Sequence, residues 1–157
     1  MAYKKILVPL DGSSFSKRAV DGAIKVAKTD HASIILLGVV EIPPAAFEGY
    51  TEFAVNIEAN EELKKKLSRS LNEEADKLRA KGLSVAVIVK EGLPIEEIDA
   101  TVESEGVDLI VMTTHGRRGF SRFLLGSVAE KVVRTASCSV LIVRPTAPEL
   151  KVLEGNG

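Results

Sequence analysis

The sequence predicts an α/β fold with a five-stranded parallel sheet and helices on both faces. Three observations lead there. Five short apolar runs, at Ile6–Leu10, Ile34–Val40, Val85–Val89, Leu109–Met112 and Val140–Val143, are near-continuous rather than alternating, the habit of strands covered on both faces. Segments of helical period with recognisable ends separate them. At 157 residues the chain is the length of one ordinary domain, long enough for a single core and too short for two.

The elements follow in order. Pro9 cannot donate to a ladder, but it stands near the end of the first run, where the loss is tolerable. Ser13 or Ser14 can cap a first helix whose Phe15, Ala19, Ala23 and Ala27 share a face. The segment from Glu41 to about Ile57, with Pro43, Pro44 and Gly49, breaks the rhythm and reads as a long loop or exposed flap. The longest helix carries Leu63, Leu67, Leu71, Ala75 and Leu78 on one stripe, with its charges opposite, and Gly82 is placed to end it. A third helix follows Gly92: Pro94 suits its first turn, Glu96 and Glu97 complement the positive end of its dipole, and Gly106 stops it. The fourth spans about Gly126 to Ala136, with Val128, Val132 and Ala136 spaced by four and Ala129 and Val133 beside them. The order β-α-β-α-β-α-β-α-β implies right-handed crossovers. From Pro145 to Gly157 two prolines and scattered charge suggest a loosely packed tail.

Composition narrows the function. A formal net charge of -1 gives no reason to expect nucleic acid or an anionic membrane as partner, so small ligands or proteins are expected. No transmembrane-length apolar stretch is present, and the apolar run that ends at Asp11 is too short for the core of a signal peptide. The single cysteine, Cys138, allows neither an intrachain disulfide nor a CxxC knuckle and suits a cytoplasmic protein.

In an open α/β sheet, ligands sit outside the carboxyl ends of the strands, so the informative residues should follow them. After the first run comes Pro9-Leu10-Asp11-Gly12-Ser13. After the fourth comes Thr113-Thr114-His115-Gly116-Arg117-Arg118-Gly119, and then Leu124-Leu125-Gly126-Ser127 at a helix start. Glycine lets main chain approach a phosphate closely, and the first amides of a helix are unpaired donors at its positive end, so this second cluster suits an oligophosphate. Neither GxxxxGK[ST] nor GxGxxG is present. Asp11 can instead form an Asx turn, Ser127 can be simply an early helix residue, and Val39 and Met112 can be core. His115 has no paired nucleophile or orienting carboxylate, and His31 has no evident partner. Arg117, Arg118 and Arg122 either meet phosphates or face solvent. Cys138 reads as a small buried apolar residue.

The blocks KKILVPLDGS, SIILLGVVE and DLIVMTTHGRRGFSRFLLGSVAEKVVRTASCSVLIVRP resemble the universal stress protein family over nearly the whole chain. ATP-binding members of that family carry G-x2-G-x9-G-[ST] after strand four. The register that fits puts Gly116 at the second glycine, counts nine residues from Arg117 to Leu125, and reaches Gly126-Ser127; Thr113 stands where the pattern has its first glycine. Thr113 continues the fourth run, so the position is expected to be extended, with threonine narrowing the site.

The resemblance implies a Rossmann-like, adenine nucleotide alpha hydrolase-like domain over 1–146 and a flexible tail over 147–157. It implies ATP as ligand, with or without Mg2+, and a binding site of Pro9, Asp11, Val39, Met112, Thr113, Gly116, Gly126, Ser127 and Val128. Asp11 would lie near ribose or base, Pro9 and the Val39 backbone along adenine, Met112 and Thr113 on the ribose side, and the last four at the phosphates. It also implies a homodimer through the final strand, whose Val140-Leu141-Ile142-Val143 is an apolar edge. Three functions stay open: a non-enzymatic ATP-binding stress regulator, a dimeric module that binds no nucleotide, and a slow ATPase or phosphotransferase. Asp11 is the only obvious loop carboxylate near the site, Asp108 being at the other strand end, and that scarcity favours the regulator.

Overall fold

The computed structural model describes residues 2–42, 57–114, 125–144, 146 and 148. The elements alternate as expected: β1 (Lys5–Leu10), α1 (Lys17–Asp30), β2 (Ser33–Glu41), α2 (Ile57–Ala80), β3 (Val85–Gly92), α3 (Pro94–Glu105), β4 (Leu109–Thr113), α4 (Ser127–Thr135) and β5 (Ser139–Val143). All pairings are parallel, in the order β3-β2-β1-β4-β5. The chain therefore winds outward from β1 through β2 to β3, crosses to the other side of β1, and winds outward again through β4 to β5. The reversal lies between β1 and β4.

At that seam the ladder is short. Ile6 pairs with Leu109 and Leu7 with Ile110, and there it stops, although β1 continues to Leu10 and β4 to Thr113. Beyond these pairs no bridge joins the two strands, and their carboxyl ends form the switch point, where open α/β sheets carry their ligand crevice. Pro9, the penultimate residue of β1, lies beyond the last β1–β4 pair, in register with Leu37 of β2. The Asp108 N–H donates to the Lys5 carbonyl and the Ser33 N–H to the Lys4 carbonyl, so odd-numbered residues of β1 face β4. The N–H that Pro9 lacks is missing at this very seam, where the ladder stops.

Strand alternation divides the core in two. Ile6, Val8, Leu10, Ile34, Leu36, Leu109 and Val111 pack with α1 and α2; Leu7, Ile35, Leu37, Ile110 and Met112 pack with α3 and α4. Full cover on both faces holds for β1, β2 and β4. It fails for β3 and β5, which are mostly half-exposed. Two helices per face shield the centre of a five-stranded sheet and leave its margins open.

The helix ends depart from the sequence in instructive ways. α1 starts at Lys17, later than either expected cap, and Ser16 at its N-cap makes no side-chain capping bond. Ser13 still works locally: its Oγ accepts the Ser16 N–H at 3.2 Å, while the Ser16 hydroxyl donates to the Ser13 carbonyl at 2.9 Å. The amides of Arg18 and Ala19 donate three residues back, to Phe15 and Ser16. Ser13 therefore caps a tight turn that feeds the helix, Phe15 lies before the helix, and Ala19, Ala23 and Ala27 form its buried face. His31, unassigned from sequence, closes α1 in the left-handed conformation at φ 58°, its amide bonded to the Ala27 carbonyl.

On α2, Leu71, Ala75 and Leu78 are buried and Leu67 half-buried, but Leu63 is 51% exposed. Lys64, its neighbour, already reaches Glu91 at the end of β3, so the apolar stripe outruns the sheet. Gly38 of β2 is needed for close approach: a Cβ there would stand 2.6 Å from Leu71 Cδ1 and 2.7 Å from Leu67 Cδ2. α3 follows the expected pattern, with Pro94 in its first turn, Glu96 and Glu97 beside it, and Gly106 left-handed at its end.

Candidate functional site: the crevice between strands β1 and β4

The crevice has two rims. On the β1 side Asp11 Oδ1 accepts the Ser13 N–H at 2.9 Å, so the Asx turn foreseen as one alternative is present, and Gly12 follows with φ 82°. On the β4 side Thr113 ends the strand in register with Val143 and is buried. Among the described residues His31 is the non-glycine with positive φ, so Thr113 takes an ordinary extended conformation, as the sequence suggested. A β-branched residue is unstrained there.

Thr114 is also buried, and its carbonyl accepts the Gly126 N–H at 2.7 Å. This bond clips the end of β4 to the start of α4. Gly126 is the N-cap of α4 with φ -61° and ψ 155°, torsions open to any residue; what glycine supplies is a bare surface. The first intrahelical bond runs from the Glu130 N–H to the Gly126 carbonyl at 2.8 Å. The amides of Ser127, Val128 and Ala129 therefore have no intrahelical acceptor and stand at the positive end of the dipole. Ser127 is exposed and Val128 half-buried.

Pro9, Val39 and Met112 fall on one side of the sheet by alternation, the side covered by α3 and α4. Met112 is buried there, while Pro9 and Val39 are half-buried. Thus Pro9, Asp11, Val39, Met112, Thr113, Gly126, Ser127 and Val128 all gather at the carboxyl ends of β1, β2 and β4 or at the adjoining start of α4. Gly116, His115, Arg117, Arg118, Gly119, Arg122 and the segment 43–56 lie outside the described residues, as does most of the tail expected over 147–157.

Two details differ from the sequence reading. The Gly126 amide, expected to face a phosphate, is spent on Thr114, which shifts the open donors one residue onward to Ser127, Val128 and Ala129. Thr114 and Ala129 were not singled out, although an N-cap placed at Gly126 would have pointed to the Ala129 amide. Asp108 sits at the opposite end of the strands, its carboxylate accepting the N–H groups of Lys4 and Lys5 at 2.8 and 2.9 Å. Cys138 is partly rather than fully buried; burial, and then the charge of Asp108, push its thiol pKa upward, so it stays neutral near pH 7.

A doubly wound parallel sheet, open at its switch point and with a helix start at the rim, defines a Rossmann-like α/β protein. The model described as the universal stress protein family matches residues 2–144. Universal stress protein MJ0531 of Methanocaldococcus jannaschii is 38% identical over 152 residues, covering 94% of this chain and 85% of its own. The chain belongs to the universal stress protein family. Among solved structures, MJ0577, a universal stress protein of the same organism, superposes with a TM-score of 0.71 at 31% identity, covering 93% of this chain and 99% of that one. A universal stress protein solved in complex with cAMP superposes with a TM-score of 0.62 at 28% identity, covering 92% and 98%.

Proposed function

We propose that this chain is an adenine-nucleotide-binding universal stress protein, with ATP as its ligand, that acts in the stress response as a regulator and not as an enzyme. The observation that carries the reading is the clip from Gly126 to Thr114, which holds three free amides of α4 beside the open β1–β4 seam. Such a helix start is a natural anion seat. The cAMP complex of a relative 28% identical supports an adenine nucleotide as the class of ligand. The amides of Ser127, Val128 and Ala129 hold the phosphates, with the Ser127 hydroxyl as a further donor. Bare Gly126 lets the chain approach. Pro9, Val39 and Met112 line the base and ribose with Asp11, and Thr113 narrows the floor.

Binding is the function in this reading because the means for turnover are sparse among the described residues. Phosphoryl transfer needs a metal-holding carboxylate and a group that positions the attacking oxygen. Asp11 is engaged in its turn and Asp108 stands at the far end of the sheet. Mg2+, where it accompanies ATP, is held chiefly by phosphate and water. Occupancy then signals by changing the choice of partner. A lone cysteine, which can form no intrachain disulfide, suits the cytoplasm, where we place the protein. To test the reading, freshly purified protein is denatured and the released small molecules are identified by mass spectrometry. ATP near one per chain is expected; protein that releases no adenine nucleotide, and takes none up when ATP is added, contradicts it.

The partner reading is a homodimer through β5. That strand carries no charge, leaves Leu141 38% exposed, and has Val133 of neighbouring α4 at 50%. An unguarded apolar edge invites pairing. Light scattering at micromolar concentration should return twice the chain mass, and Leu141→Asp should return it to one; a monomeric wild type contradicts the dimer.

A further inference from the structure

The other margin of the sheet, β3, is built differently from β5. The Ile34 N–H donates to the Ser84 carbonyl at 2.9 Å and the Ile42 N–H to the Gly92 carbonyl at 3.0 Å, so the even-numbered residues of β3 turn their main-chain groups toward β2. The odd-numbered residues turn theirs outward. Val85 is answered: Arg79 of α2 donates to its carbonyl from Nε at 3.1 Å and Nη2 at 2.8 Å. Among the described residues Val87, Val89 and Glu91 have no such partner, and no described strand lies beyond β3. Three successive outward N–H and C=O pairs thus form an open template about 13–14 Å long from Val87 to Glu91.

One flank of this template is cationic. Between α2 and β3 lies an open depression of about 500 Å3 lined by Glu61, Lys64, Lys65, Ser68, Arg69 and Val89. Lys64 is paired with Glu91 at 3.6 Å, Arg79 with Asp76 at 2.9 Å and Lys90 with Glu97 at 3.6 Å. Lys65 and Arg69, one turn apart on α2, have no ion pair among the described residues. They stand on the side where every second side chain of an added strand would point.

We propose that the β3 edge docks an extended acidic segment of a partner protein, which adds to the sheet as a sixth strand. Its main chain bonds to Val87, Val89 and Glu91, and its carboxylates reach Lys65 and Arg69. Main-chain bonds supply affinity in such docking and alternate side chains supply specificity. Charge also decides against a second copy of this chain. Two-fold pairing of β3 with β3 would bring the Lys65 and Arg69 pairs of the two copies toward each other, whereas an acidic strand neutralises them. The same charges keep the edge from indiscriminate pairing.

The test uses the full chain and a fluorescein-labelled peptide, acetyl-Glu-Val-Glu-Val-Glu-Val-amide, followed by fluorescence anisotropy. Saturable binding is expected that weakens at least tenfold in three cases. These are a peptide with lysine in place of each glutamate, a peptide N-methylated at alternate residues, and the exposed double variant Lys65→Glu/Arg69→Glu. Absent binding, equal affinity for the acidic and basic peptides, or an unchanged double variant overturns the proposal. So does a chain mass that doubles through Lys65 and Arg69 without peptide, since the edge would then belong to a second copy. Circular dichroism of the double variant, expected to match wild type, separates lost docking from lost folding.

Discussion

Replacing Gly126 by valine should weaken ATP binding at least tenfold while the protein stays folded. The backbone at Gly126, φ -61° and ψ 155°, is extended and admits valine without strain. Its amide remains free to donate to Thr114, and its carbonyl remains the first acceptor of α4. What changes is the surface: an isopropyl group now stands between the crevice and the amides of Ser127 to Ala129. A phosphate displaced by a bond length loses charge-assisted hydrogen bonds worth about 1.5–3 kcal/mol each, so losing one already accounts for tenfold. Calorimetric titration of both proteins with ATP reads the difference. Equal affinity in wild type and Gly126→Val would remove the start of α4 from the site.

The largest stability effect is expected at Ile110→Ala. Ile110 is fully buried, in register with Leu7 on one side and Val140 on the other, in the core beneath α3 and α4. It also makes the last β1–β4 bridge, next to Pro9. Truncation leaves a void that neighbours held by their own ladders cannot fill, and such changes cost about 2–5 kcal/mol. In a domain of this length that lowers the melting temperature by roughly 5–15 °C. A loss under about 1 kcal/mol in urea unfolding would mean that this core repacks freely, against the density expected of it. Because a weakened seam also loosens the crevice, ATP titration of this variant belongs well below its melting temperature.

Much of this arrangement is legible in the amino acids, and the exceptions have physical causes. The apolar runs mark five strands to within a few residues at each end, because burial on both faces selects β-branched residues one after another. Thr113 reads correctly as a strand residue for the same reason. Pro94, Gly106 and Gly82 mark helix ends because each suits a conformation or a missing donor that few residues tolerate. Leu63 misled because helical period says which side of a helix is apolar and not how far the sheet beneath it extends. Ser13 and Ser14 misled because a helix and the tight turn before it offer serine the same bond. The half-exposed β3 and β5 follow from strand order, which depends on pairing between residues far apart in the chain.

The site shows the same division. The sequence locates Asp11 and Gly126-Ser127 at strand and helix ends, since glycine and short polar residues gather where regular structure stops. It carries no sign that β1 and β4 are neighbours, and the crevice exists only because they are. Nor does it reveal that Thr114 takes the Gly126 amide, which moves the open donors one residue along α4.

The central claim is that adenine nucleotide binds at this seam, and backbone amide NMR during an ATP titration tests it most directly. Saturable shifts are expected at Asp11, Gly12, Ser13, Thr113, Ser127, Val128 and Ala129, with Lys4, Lys5 and Asp108 at the opposite end of the sheet unmoved. Shifts that avoid the start of α4, or no shifts at millimolar ATP, would contradict it.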